Sequence, residues 1–558
     1  HASQVLFRTR DGGQSWETIS GDLSRNDKNK QQWSGGPITG DNTGVEIYGT
    51  IFAVAESPKQ KGVIWAGSDD GLVHVSQDDG KTWTNVTAAI PDFPDWGTVR
   101  CIEPSRFDAG TAYVVADAHR MNDFKPYLWK TADFGKTWKR LTEKLPNDVY
   151  LHVIREDPKK KGLLFVGSER GVAMSSDDGV TWQPLRLNLP TAAVHDLHVK
   201  DNDLVVGTMG RSIWILDDIT PLRELTPSAS DDKSPKLLPI QPATRWRLSG
   251  GFPYTGRGAG ENPPYGAIIH YRIGKKPAKP ATLEIRDAQN KLVVAFTAKD
   301  DEDKDDDDDG SLDFDLKEPK RLIPHEPDEL HRFVWDLTRP GAAFIPKAQL
   351  DSGDPTSGAL VAPGEYTVKL IVDGQTLSQR LTVNPDPRGP ADLTESQEFA
   401  DKVRGDFHAL VETVRQLRAV RKQLADRNEL LDGIEKAAPL VKASRELIAK
   451  LESLEEKLHN PKARVPYDIF ALKGGAKLYS QYAFLFSVVN DNDGPPTQGM
   501  RDVYKAISSE LNELTGEFKT LTTGDLAKLN EQAKSLDVPT ILVPPMKPAE
   551  ESRPAVKP

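Results

Sequence analysis

Ser76-Gln77-Asp78-Asp79-Gly80-Lys81-Thr82-Trp83 is one of four versions of a single eight-residue phrase. The others are Thr9-Arg10-Asp11-Gly12-Gly13-Gln14-Ser15-Trp16, Thr131-Ala132-Asp133-Phe134-Gly135-Lys136-Thr137-Trp138 and Ser175-Ser176-Asp177-Asp178-Gly179-Val180-Thr181-Trp182. The shared pattern is Ser/Thr-x-Asp-x-Gly-x-Ser/Thr-Trp. Its chemistry is that of a β-hairpin turn. The aspartate accepts backbone N–H bonds across the turn. The glycine supplies a positive φ that other residues resist. The tryptophan starts the next strand with a large apolar face. The aspartates are spaced 67, 55 and 44 residues apart, a period suited to the blades of a β-propeller with variable loops.

Strand pairs precede the last three phrases. Val63–Gly67 and Leu72–Ser76 flank Ser68-Asp69-Asp70-Gly71, and Leu163–Gly167 and Val172–Ser176 flank Ser168-Glu169-Arg170-Gly171. Ala112–Ala116 and Tyr127–Thr131 flank a longer loop. Val-rich strands broken by Gly-bearing turns predict antiparallel meanders. A further unit, Leu204–Asp218, keeps the strands but lacks the phrase.

These repeats resemble the Asp-box (BNR) repeats of sialidases, xyloglucanases and the sortilin propeller. The segments Ser34–Ile51, Ile90–Val99 and Val206–Asp218 are most similar to large exported bacterial proteins of sortilin-like or "glycosyl hydrolase" BNR type. The resemblance implies propeller blades, then a β-sandwich, then a helical tail, in a secreted or periplasmic protein. It also implies a structural role for Asp11, Gly13, Trp16, Asp78, Gly80, Trp83, Asp133, Gly135, Trp138, Asp177, Gly179 and Trp182. Four phrases and one further unit give about five blades at most. The chain is therefore expected to be the C-terminal part of such a protein, its missing N-terminal blades supplied in cis or by a separate chain.

The expected fold class is mainly β with an α-helical C-terminal domain. Residues 1–220 are assigned to an incomplete propeller of four to five blades, and 221–239, rich in Ser, Pro and Asp, to a linker. Residues 240–388 are assigned to a β-sandwich of immunoglobulin or fibronectin type. Its strands are Ala267–Ile273, Ala281–Asp287, Lys291–Thr297, His331–Leu337, Glu365–Val372 and Thr376–Val383, with Asp373-Gly374 at a hairpin turn. Residues 389–537 are assigned to a helical bundle. Phe399, Val403, Phe407, Leu410, Val414, Leu417, Val420 and Leu424 step by three or four, and further helices are expected at Leu440–Leu458, Lys477–Val489, Met500–Leu521 and Asp525–Leu536. A Pro-rich, extended tail occupies 538–558. The bundle also offers a route to homo- or hetero-oligomers.

The chain has 558 residues and a formal net charge of -11. Nine acids lie within Asp300–Asp309, a run of one sign expected to form a solvated loop. There is no basic field for nucleic acid. The longest apolar stretch near the C-terminus, Tyr482–Val489, falls short of the roughly 20 residues a membrane helix needs. One cysteine, Cys101, excludes an intrachain disulfide and any Cys-x-x-Cys metal site.

No cofactor motif is present: Gly256–Gly260 lacks strand-to-helix context, and there is no nucleophile elbow. No metal site is assigned. His195-x-x-His198 sits on a strand, where the two side chains need not share a face, and a third ligand is not evident. The segments expected to line a channel are Val45–Ser57, Asp95–Ser105, Asp148–Asp157 and Ala193–Lys200. On or beside them Asp41, Glu46 and Asp95 are candidate catalytic carboxylates. Tyr48, Trp96, Tyr150, His152 and Arg211 are candidate ligand contacts.

The function expected from these features is that of an exported binding or scaffold protein, a propeller recognising a protein, peptide or glycan. The strong repeats come without a catalytic constellation. The alternative is a xyloglucanase-like glycoside hydrolase, which needs two carboxylates about 5 to 10 Å apart.

Overall fold

The structure is a computed structural model that describes residues 2–40, 47–224, 234–247, 262–298, 321–327, 329–390, 392–470 and 473–547. It is mostly β-sheet with a helical C-terminal region. The chain divides into two compact units, His1–Lys233 and Ser234–Pro558.

The first unit is a series of antiparallel meanders. The first sheet orders Ile51–Glu56, Ile64–Ser68, Val73–Ser76 and Thr84–Asn85. The second orders Thr98–Pro104, Ala112–Ala118, Asp123–Thr131 and Lys139–Arg140. The third orders Leu151–Glu156, Leu164–Ser168, Gly171–Ser175 and Gln183–Leu185. The fourth has three strands, Val194–Lys200, Asp203–Thr208 and Ile213–Leu216. A short pair, Phe7–Arg8 with Glu17–Thr18, precedes them. The initial strand of each of the four sheets packs on that of the next, so the sheets lie side by side in blade-like order. Their faces bury Trp65, Tyr113, Trp129 and Phe165 completely.

Each eight-residue phrase forms the turn into a short outermost strand, and each letter of the pattern has a bond. Asp133 accepts from Thr137 N at 2.9 Å and Thr137 Oγ1 at 2.7 Å. Thr131 Oγ1 donates to Asp133 at 2.9 Å and accepts from Gly135 N at 2.9 Å. Trp138 Nε1 donates to the Gly135 carbonyl at 3.0 Å. The same aspartate bonds recur at Asp11, Asp78 and Asp177. Phe134 and Gly135 have φ of 60° and 83°, the paired left-handed conformation of a tight hairpin turn.

The second unit holds two sheets and a set of helices. A three-stranded sheet orders Lys236–Leu237, Ala267–Arg272 and His331–Trp335. A six-stranded sheet orders Ala243–Thr244, Gln375–Asn384, Gly364–Val372, Thr282–Arg286, Leu292–Ala298 and Leu322–Ile323. One apolar core joins them, with Ile269, Tyr271 and Trp335 from the smaller sheet and Leu283, Val368 and Leu381 from the larger. The acidic run 300–309 lies outside the described residues.

The longer helices are Thr394–Leu430, Ala438–Leu458, Leu478–Asn490, Gln498–Thr520 and Ala527–Ser535, the last two joined by a π-helical turn at Leu521–Leu526. Phe407, Leu451, Tyr482 and Leu511 meet in their shared core. Residues 539–547 run back along the first of these helices. Arg427, Gln423, Gln416, Arg415 and His408 donate to the carbonyls of Pro539, Leu542, Pro544, Pro545 and Lys547. Proline has no N–H to offer, so its carbonyls are the backbone groups left to bond. Among the described residues no helix is long and apolar enough to cross a membrane.

Candidate functional site

The initial strands of the four sheets share an irregularity that places the site. In each, the pairing register slips once, between Ile51 and Ala53, Val99 and Cys101, Leu151 and Val153, and Val194 and Asp196. The bulged residues are Phe52, Arg100, His152 and His195. A bulge re-aims its side chain, and here four successive sheets re-aim one side chain each toward the same neighbourhood. The Arg100 guanidinium lies 5.3 Å from the Phe52 ring centroid. Arg100 Nη2 donates to His152 Nδ1 at 3.0 Å. The His152 and His195 rings lie 4.2 Å apart. The four form a continuous ladder, exposed at Phe52 and His195 and buried at His152.

A second row lies beside it, where the second strand of each sheet ends. Asp69, Asp117 and Glu169 occupy matching positions there, with Met209 in the fourth sheet. The backbone N–H groups of Asp69, Glu169 and Met209 donate to the carbonyls of Thr50, Tyr150 and Ala193, two residues before the respective bulges. Asp117 faces Thr98, which stands two before Arg100.

Each of these carboxylates already has partners within the chain. Asp69 accepts from Gly49 N at 3.0 Å and Thr50 N at 2.8 Å. Asp117 accepts from His119 N at 2.9 Å, bonds the His119 ring through Nδ1, and lies 3.6 Å from Arg100 Nε. Glu169 accepts from Tyr150 Oη at 2.8 Å and faces His152 Nε2 at 3.5 Å. The His119 ring stacks on Tyr150 with centroids 4.6 Å apart.

The bond from Arg100 fixes the tautomer of His152. Nδ1 accepts, so the proton of the neutral ring is on Nε2, facing Glu169. Burial, helped by the neighbouring His195 and Arg100, lowers the His152 pKa to about 4. Three residues along the second sheet's initial strand, burial pushes Glu103 up to about 7, and the Arg155 guanidinium 3.5 Å away only partly offsets it.

These two shifts have opposite consequences for stability. Unfolded histidine takes up a proton near its ordinary 6.5, whereas folded His152 does not until about 4. Stability from His152 is therefore lost as pH falls through that window. Folded Glu103 keeps a proton that the unfolded chain releases from 4.5 upward, so its stabilisation is lost as pH rises toward 7. In wild-type protein the two slopes oppose each other. His152→Gln is expected to raise stability at pH 5 relative to pH 7.5, and Glu103→Gln to do the reverse, each by about 1–3 kcal/mol. Urea unfolding at the two pH values measures this. Two unchanged pH profiles would contradict the assignment.

The remaining sequence candidates fall in different places. Tyr150 and His152 belong to the ladder region. Tyr48 and Trp96 stack with centroids 6.1 Å apart and take part in none of the ladder contacts, and Trp96 also carries the Arg25 guanidinium at 4.3 Å and the Lys30 ammonium at 4.5 Å. Its ring is engaged by the chain's own cations. Asp95 pairs with Arg25 at 2.9 Å. Arg211 is exposed in the turn before the last strand of the fourth sheet. Asp41 and Glu46 lie outside the described residues. His195 and His198 are both exposed and belong to no three-ligand group among the described residues. Sequence reading missed Phe52 and the row of Asp69, Asp117 and Glu169. Aligning the repeats two residues before each bulge, on Thr50, Thr98, Tyr150 and Ala193, would have found them.

No protein-family model and no curated protein matches the chain. Among solved structures it is similar to YCF48 from Cyanidioschyzon merolae, at 14% identity over 30% of this chain and 53% of that one, TM-score 0.23. It is also similar to a GH74 enzyme from Niastella koreensis, at 15% identity over 40% and 28%, TM-score 0.25. A third is the extracellular domain of a hybrid two-component system from B. thetaiotaomicron, at 14% identity over 66% and 44%, TM-score 0.23. The chain spans about half or less of the length of these three proteins. With likenesses this slight, the functional reading rests on the chain's own residues.

Proposed function

We propose that the chain is a binding protein of the β-propeller type, exported, and that the ladder Phe52–Arg100–His152–His195 is its ligand-contacting surface. The observation that supports this is the ladder itself: four sheets each present one side chain at the same bulge. The adjoining carboxylates Asp69 and Glu169 accept from the chain's own donors, and Asp117 accepts from His119 through one oxygen while the other faces Arg100 at 3.6 Å, which suits a fixed recognition surface better than a proton-transfer pair. Exposed Phe52, Phe124 and Met209 beside charged and imidazole groups suit a protein or peptide better than a sugar, because Trp96 is already covered by cations. Exposed Ile213 and Ile215 on the last strand of the fourth sheet, and Val54 on the first, are surfaces that further blades would cover.

The two sheets of the second unit are read as an immunoglobulin-type sandwich. Tyr366 Oη donates to the Ala362 carbonyl at 2.6 Å near the start of its strand, the bond of a tyrosine corner. The sandwich and helices are assigned docking roles.

Peptide and glycan arrays probed with the whole chain test the reading. Binding is expected to peptides, and His195→Ala and Phe52→Ala, both at exposed positions, are expected to weaken it about tenfold or more each. Hydrolysis of xyloglucan or another polysaccharide, abolished by Asp41→Asn, Glu46→Gln or Asp95→Asn in folded protein, would replace this reading with the hydrolase.

A further inference from the structure

A second cluster lies in the second unit, independent of the ladder, in the loop that leads into the strand His331–Trp335. Glu326, Glu329 and His331 each bring one ligand atom to within 4.8 Å of the others. The glutamates are exposed and the histidine side chain is only 4% exposed. The loop is held in place from two sides. Tyr271 Oη donates to the Pro324 carbonyl at 2.6 Å, and His331 Nε2 donates to the Glu326 carbonyl at 2.8 Å.

The second of those bonds decides the chemistry. A carbonyl can only accept, so Nε2 carries the proton and the lone pair of the neutral ring is on Nδ1. Nδ1 lies 3.7 Å from Glu326 Oε2, itself an acceptor. Among the described residues no group donates to Nδ1. Nδ1 of this largely buried side chain and two exposed carboxylates thus converge, with Glu326 Oε2 also accepting from His325 N–H at 3.2 Å, and a cation between them would satisfy the lone pairs that remain. A ring N–H bonded to a backbone carbonyl is also the usual outer support of a metal-ligating histidine.

We propose that Glu326, Glu329 and His331 bind one divalent transition-metal ion of the Zn2+ type. Imidazole selects this class over Mg2+ and Ca2+, which prefer oxygen alone, and two carboxylates disfavour the soft Cu(I) ion. Three protein ligands leave a fourth position open to solvent. Ligand atoms around zinc stand roughly 3.4 Å apart, from bond lengths of about 2.1 Å, so the exposed glutamates must close in by about an ångström. Their freedom at the surface permits it.

Co2+ is the probe, read by its visible absorption on the tag-free whole chain, with metal content after dialysis against Zn2+ as a second measurement. One ion per chain is expected. Glu326→Gln and Glu329→Gln, both exposed and compatible with folding, are expected to weaken binding about 100-fold or more. His331→Gln is expected to abolish the imidazole-dependent spectrum, and His325→Gln to leave it unchanged. Absence of uptake by folded wild-type chain would overturn the proposal. So would a spectrum that survives both glutamate changes, since the ion would then sit elsewhere, for instance on residues 300–309.

Discussion

Arg223→Leu is expected to destabilise the N-terminal unit by about 3–5 kcal/mol, because it leaves a buried charge without its partner. Asp157 is fully buried at the end of the third sheet's initial strand. Arg223, on the short helix Thr220–Glu224, donates to it through Nε at 3.1 Å and Nη2 at 2.9 Å. Its Nη1 reaches Asn202 Oδ1 at 2.7 Å. The pair therefore ties the helix that follows the fourth sheet to the base of the third. In the variant, Asp157 keeps only the N–H groups of Lys159 and Lys160 at 2.8 and 2.7 Å. Asp157→Asn combined with Arg223→Leu removes both charges while preserving an acceptor for those N–H groups. The double variant is expected to recover most of the loss. Urea unfolding followed by tryptophan fluorescence measures both, and a single-variant loss below about 1 kcal/mol would show that water reaches the pair.

Trp129→Ala is expected to cost a further 3–5 kcal/mol or so in its own right, and to release a loop. Trp129 is fully buried in the third strand of the second sheet. Its ring stacks on Phe93 at 5.2 Å, and its Nε1 donates to the Pro91 carbonyl at 2.9 Å. Both partners belong to the segment 91–97, in which Asp92 and Trp96 adopt left-handed φ of 52° and 61°. Those conformations persist only when the surroundings hold them. With the ring gone, proteolysis at 91–97 is expected under conditions where wild-type chain resists it. Trp129→Phe, which keeps the stacking and loses one hydrogen bond, is expected to cost about 1–2 kcal/mol and leave the loop protected. Equal protease resistance in Trp129→Ala would show that the loop is held by other contacts.

The parts of the fold that could be read from the sequence are those fixed by bonds between near neighbours. In the phrase around Asp133 every bond spans two to four residues, so its letters recur wherever the turn recurs. The helical stripe from Phe399 to Leu424 was equally plain, since one face of a helix repeats every three or four positions. The ladder was not legible in this way. Which residue of an initial strand bulges depends on pairing with the next strand, so although His152 and His195 stood out by type, nothing in the pattern joined them to each other or to Phe52 and Arg100. Asp69, Asp117 and Glu169 stand 19 residues after Thr50, Thr98 and Tyr150, a regularity that shows only once the strand starts are aligned, because acids are common in turns of every kind. Residues chosen for their type alone, such as Trp96 and Asp95, turned out to be occupied by Arg25 and Lys30, partners that lie more than sixty residues earlier.

The ladder has a consequence for how such a surface diversifies. Each rung comes from one repeat and is set by a bulge internal to that repeat. Exchanging, duplicating or recombining a segment of about fifty residues therefore swaps a single rung and leaves the rest in register. Recognition built this way evolves by whole modules, in discrete steps, without rebuilding the scaffold each time.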